Sequence, residues 1–305
     1  MKTQVTFLSK GLKIAGILYL PDIYSGRPLP AVVVGHPASG VKEQTASVYA
    51  DRLTREGFAA LVFDAAHQGE SEGEPRNLED PFQRAEDFRA AVSYLASRSD
   101  IDPERIGALG ICASGGYLSF AAQTDRRMKA VATISAFDMA GGLIDGVGRV
   151  QGPEIRDFLL NQAGALRNAE ARGEGPVNFQ PVPPTAAEAA AFPDRSMYRE
   201  GHEYYRTPRG NHPRAANWLL MRADVMAQFN AFAHQDWVSP RPLLMIAGTD
   251  ADTRYFTEEA IAQAAEPKEL FWVEGASHID LYDKDEFVTP AVAKLAEFFG
   301  KHLGL

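Results

Sequence analysis

The run Ile106-Gly107-Ala108-Leu109-Gly110-Ile111 leads directly into Cys112-Ala113-Ser114-Gly115-Gly116, and this stretch constrains the fold more than any other. The apolar run is too short for a helix and unbroken enough for a strand buried on both faces. Residues able to start a helix follow, so the segment reads as strand, sharp turn, helix. Small residues near the apex are what a strained turn requires, because it brings neighbouring backbone close together. The apex is read as Cys112. A second register, with Ser114 at the apex and Cys112 two positions before it, is the alternative.

The flanking chain supplies a sheet for this strand. Residues 3–8 and 12–20 alternate like an antiparallel pair joined through Lys10-Gly11. Pro21, Gly26, Pro28 and Pro30 then mark a loop. Buried strands are expected over 31–35, 58–63 and 128–135, with helices over 44–56, 82–98 and from the elbow to about Thr124. Asp102-Pro103 reads as the turn that introduces the central strand. After residue 236 the pattern resumes with strands at 242–248 and 269–273 and helices at 257–265 and 289–302. Alternating strands and helices predict a mostly parallel sheet flanked by helices. In such a sheet the chemistry gathers at the carboxyl ends of the strands. Residues 137–236 break the rhythm, with helical stretches expected at 154–171 and 214–232. The predicted organisation is therefore a core of residues 1–136 and 237–305 with a helical lid insertion over 137–236. Within the insertion, Tyr198, Tyr204, Tyr205 and Trp218, with Trp237 just beyond it, form either a substrate pocket or the insertion's own core.

Composition narrows the class of function. A net charge of −9 disfavours nucleic acid and anionic membrane surfaces as partners. No apolar run reaches the length of a membrane span, and the amino terminus lacks the apolar block of a signal peptide. A single cysteine excludes internal disulfides, and a cytoplasmic protein is the simplest fit. Homo-oligomerisation is left open.

The order of elements, Asp102-Pro103-Glu104-Arg105-Ile106-Gly107 running into the elbow, Asp64-x-x-x-x-Gly69-x-Ser71, and Gly275-Ala276-x-His278 together resemble the α/β-hydrolase superfamily. The cysteine elbow resembles dienelactone hydrolase and its relatives. The lidded layout is similar to bacterial hydrolases grouped with fungal polyketide transferases. The resemblance implies an α/β-hydrolase fold and places the apex at Cys112. It implies a Cys112, His278 and Asp252 triad of nucleophile, base and orienting acid, with Asp250 as the competing acid. It also implies an oxyanion hole from the backbone N–H groups of Ala38 and Ala113. Glu43 could pair with the resting thiol or stabilise a helix N-terminus, and structural hydrogen bonding is the expected role of His36. The Asp64–Ser71 turn is read as structural. The helix starting at Ala113 and a nearby imidazole are expected to lower the thiol pKa. The reaction implied is cleavage of a small-molecule ester, lactone or thioester through an acyl-cysteine, without metal or cofactor. The alternatives are an acyltransferase with the same triad and a non-catalytic binding protein on a hydrolase scaffold.

Overall fold

The computed structural model describes residues 1–22, 26–175 and 178–305, so the middle of the loop expected over 21–30 lies outside the described residues. Eight strands form one sheet in the order β1-β2-β4-β3-β5-β6-β7-β8. The antiparallel hairpin β1 (Lys2–Ser9) and β2 (Leu12–Tyr19) leads into it, and β2 pairs antiparallel with β4 (Ala59–Phe63). The remaining neighbours pair parallel: β3 (Leu29–Gly35), β5 (Ile101–Ile111), β6 (Ala130–Ile134), β7 (Leu243–Gly248) and β8 (Lys268–Val273). The runs Ala31–Val34, Ala59–Val62 and Leu243–Ile246 are fully buried. That matches strands covered by helices on both faces.

The turn expected at Asp102-Pro103 lies inside β5 rather than before it. The pairing of β3 with β5 jumps from Leu29↔Ile101 to Ala31↔Ile106, so residues 102–105 form an irregularity within the strand. Asp102 still does turn chemistry there, its carboxylate accepting the Glu104 N–H at 2.9 Å.

The covering helices are α1 (Thr45–Arg55), α2 (Pro81–Ala96) and α3 (Ala113–Thr124). After the β6–β7 insertion come α9 (Arg254–Gln263), α10 (Asp280–Asp283) and α11 (Asp285–Leu303). The Asp64 turn is held by its own polar network. The Asp64 carboxylate accepts from the Lys42 and Glu70 N–H groups and pairs with the fully buried Lys42 ammonium at 2.7 Å.

Between β6 and β7 lie α4 (Met139–Ile144), α5 (Pro153–Ala171), α6 (Ala186–Ala189), α7 (Met197–Tyr205) and α8 (Ala223–Met226). The helix expected at 154–171 is α5. The helix expected at 214–232 is not formed apart from the four residues of α8. Residues 216–220 are not helical because their backbone groups bond distant chain, with isolated bridges at Leu219 and Leu220. The N–H groups of Ala216, Leu219 and Leu220 donate to Ser39 O, Phe179 O and Asn77 O. No helix among the described residues is long and apolar enough to cross a membrane.

Candidate active site

Cys112 terminates β5 and begins α3 with φ 56° and ψ −123°, a region that costs a non-glycine residue on the order of 1–3 kcal/mol. The surrounding packing maintains it. A Cβ on Gly110 would sit 2.2 Å from the Ser114 carbonyl oxygen, so the strand can meet the helix only if this position is glycine. Ser114, two residues past the apex, turns away from the cavity. Its hydroxyl donates to His36 O at 2.6 Å and accepts from Arg84 Nη2 at 3.2 Å. The register is therefore the one with Cys112 at the tip.

The Cys112 side chain faces an apolar cavity. The core contributes Ala38, Ser39, Ile279 and Tyr282 to its wall. Residues between β6 and β7 contribute Phe137, Met139, Leu143, Phe179, Pro181, Val182, Met197, Tyr198, Tyr205 and Met221. Of the aromatic residues singled out from the sequence, Tyr198 and Tyr205 line this cavity. Tyr204 packs edge-on against Tyr205 and Tyr282, while Trp237 is half-exposed and stacks on His234. Among the described residues, none of the lining side chains is charged.

The N–H groups of Ala38 and Ala113 act on the Cys112 sulfur to favour its thiolate. Their effect does not lower the thiol pKa as expected. Burial in the apolar cavity pushes it up to about 11, outweighing those donors and the Tyr282 hydroxyl. The sulfur is therefore a neutral thiol at rest.

His278 follows β8 in a loop and is fully buried. Burial lowers its pKa to about 3, so it is uncharged at neutral pH. Its Nε2 lies 3.2 Å from the Tyr282 hydroxyl, and its Nδ1 lies 2.5 Å from Thr253 Oγ1. The contact expected between His278 and an aspartate is not made. Asp252 Oδ2 accepts the Met197 N–H at 3.0 Å, at the start of α7, while its Oδ1 is buried without a partner among the described residues. Asp250 is exposed and pairs with Arg195 at 3.6 Å. Thr253, the next residue after Asp252, supplies the buried hydroxyl that meets the imidazole.

The remaining candidates take structural positions. His36 Nε2 accepts the Ala65 N–H at 3.1 Å and Nδ1 lies 2.7 Å from Pro37 O, linking the ends of β3 and β4. Burial and the adjacent Arg84 hold its pKa well below the ordinary histidine value. Glu43 does not meet the thiol. It is drawn to Lys42 at 3.0 Å and to Arg214, whose charges keep its carboxyl low against the opposing effect of burial. Thr253 and Tyr282 are the two site residues that the sequence reading missed. Tyr282 stands four residues after His278, a spacing that returns to the same side of a helical turn and could have marked it.

A match to the dienelactone hydrolase family model spans residues 14–140. An uncharacterised Pseudomonas aeruginosa protein, PA2218, is 39% identical over 305 residues, covering 98% of this chain and 80% of that one. Its crystal structure superposes with a TM-score of 0.91 at 38% identity, covering 99% of this chain and 94% of the other. The thiohydrolase aneE of Aspergillus aculeatus is 33% identical over 174 residues, covering 56% of this chain and 52% of that protein. The polyketide transferase claH of Penicillium crustosum is 26% identical over 306 residues, covering 97% and 95% of the two chains. Solved structures that share this topology are α/β-hydrolases.

Proposed function

The chain belongs to the dienelactone hydrolase family of α/β-hydrolases, and from that premise we propose that it cleaves esters or thioesters of neutral, apolar carboxylic acids through an acyl intermediate on Cys112. The observation that carries this reading is the strained Cys112 at a cavity wall it shares with Ala38 and Tyr282, the Tyr282 hydroxyl lying 3.2 Å from His278 Nε2. The sulfur attacks the carbonyl carbon. The carbonyl oxygen moves toward the Ala38 and Ala113 N–H groups, where developing negative charge finds fixed donors in a water-poor site. His278 is the base and then the acid that protonates the leaving alcohol or thiol. Thr253 takes the orienting position on Nδ1, and Asp252 fastens the start of α7 to the β7–α9 loop. Residues 137–236 act as the lid that shapes the acyl pocket.

The neutral lining selects against charged acyl groups. An unpaired carboxylate buried there would lose its hydration without gaining a cation, a cost of several kcal/mol. Acids of neutral aliphatic chains lose nothing of the kind and gain apolar burial. The name of the relative aneE supports thioesters as one substrate class. Acyl transfer to an alcohol is the second reading, supported by the name of the polyketide transferase claH, which aligns over nearly the whole chain. The test is a panel of p-nitrophenyl esters and matching thioesters with neutral or ω-carboxylate acyl chains, with and without added alcohols. Preference for neutral chains by a hundredfold or more in kcat/KM is expected. Equal turnover of the carboxylate series contradicts the substrate class, and an ester product formed in the presence of alcohol selects the transferase reading.

A further inference from the structure

Tyr282 is fully buried and held from several sides. Its ring lies edge-on to Tyr204 at 5.2 Å and to His278 at 5.7 Å. Thr45 donates to its carbonyl oxygen at 2.9 Å, and Tyr49 donates to the neighbouring Leu281 carbonyl at 2.7 Å. Helix α1 thus fixes the turn that carries the phenol. The hydroxyl lies 3.2 Å from His278 Nε2 and shares the cavity wall with the Cys112 sulfur, on which it acts electrostatically. Cys112 and His278 are both buried, and among the described residues Tyr282 supplies the one hydroxyl on His278 Nε2.

Building on the Cys112 reading, we infer that Tyr282 is a catalytic residue whose hydroxyl carries the proton between the Cys112 thiol and His278 Nε2. As the sulfur lone pair forms the S–C bond, the S–H bond breaks and its proton passes to the Tyr282 oxygen. The phenolic proton passes to Nε2, and the carbonyl π pair moves onto oxygen. The phenol is whole again and the imidazole is an imidazolium. When the tetrahedral intermediate collapses, the oxyanion pair restores the carbonyl and the C–O or C–S bond to the leaving group breaks. The imidazolium proton returns through Tyr282 to that leaving group. At no step does a lone phenolate stand in the low-dielectric cavity, where an isolated charge is costly.

The test measures the acylation burst with p-nitrophenyl butyrate, and the dependence of its rate on the deuterium fraction of the solvent, in wild type, Cys112→Ala, Tyr282→Phe and Tyr282→3,5-difluorotyrosine. A general acid–base contribution predicts a fall of about 10²–10⁴-fold for Tyr282→Phe. The wild-type dependence curves as two protons move together, and becomes linear in Tyr282→Phe. The fluorinated variant keeps the hydroxyl and the packing but alters the rate several-fold, an effect that a purely structural hydroxyl does not produce. A Tyr282→Phe burst within threefold of wild type overturns the relay, as does a slower burst with an unchanged isotope dependence. Turnover that is indifferent to Cys112→Ala overturns the functional reading and the relay together. Turnover that needs Cys112 but not the Tyr282 hydroxyl overturns the relay alone.

Discussion

At the scale of single residues, the site rests at neutrality: a thiol pushed up to about 11 and an imidazole lowered to about 3, both by burial. The rate of Cys112 alkylation by iodoacetamide should therefore rise with pH to a midpoint near 11. A plateau reached below pH 8 would instead mean a preformed thiolate–imidazolium pair. Thr253 meets His278 Nδ1, while Asp252 accepts the Met197 N–H. Thr253→Val, which removes the hydroxyl from Nδ1, is expected to lower kcat/KM about ten- to a hundredfold, while Asp252→Asn, which keeps an acceptor for Met197, changes it by less than about tenfold. Steady-state kinetics on both variants check this. A fall approaching 10⁴ for Asp252→Asn, the scale seen when a triad carboxylate is neutralised, would return the orienting role to Asp252. The sequence reading reached Cys112 and His278 because each follows a recognisable strand. It missed Thr253 and Tyr282 because a hydroxyl beside an aspartate and an aromatic in a turn carry no pattern until the loops are folded against each other.

At the scale of elements, the buried strands were legible because unbroken apolar runs have few other uses in a chain of this length. The insertion was less so. Leu219 and Leu220 looked like part of a helical face, yet their backbone groups pair with Phe179 and Asn77, partners too far along the chain for local periodicity to reveal. The elbow itself depends on Gly110. Gly110→Ala would drive a methyl into the Ser114 carbonyl oxygen. The backbone shift required is expected to destabilise the fold by about 1–3 kcal/mol or more, read as a lowered midpoint in urea unfolding. Unchanged stability would mean that the strand and helix can separate at that point. Lys42, buried against Asp64, secures a neighbouring turn. Lys42→Met leaves that carboxylate unpaired, at an expected cost of about 3–5 kcal/mol measured the same way.

Across the whole molecule, one sheet brings together groups from every part of the chain. Ala38 and Ala113 follow the ends of β3 and β5, His278 lies in the loop after β8, and most of the pocket wall comes from residues between β6 and β7. Burial of His278 also ties the site to global stability. Its folded pKa lies below its unfolded value near 6.5, so between these values the unfolded chain binds more protons. Its contribution to stability is present above pH 6.5 and is lost as pH falls toward about 3. His278→Gln should therefore show a shallower loss of stability over this window than wild type in parallel unfolding titrations. Identical slopes would mean that the imidazole titrates freely in the folded protein.

The proposed function requires an acyl intermediate on Cys112. Acid quenching during turnover of p-nitrophenyl butyrate, followed by peptide mass spectrometry, reads it directly. A butyryl mass is expected on the peptide that contains Cys112, absent from Cys112→Ala, which has lost turnover. An unmodified thiol throughout steady turnover, together with an active Cys112→Ala, would contradict it.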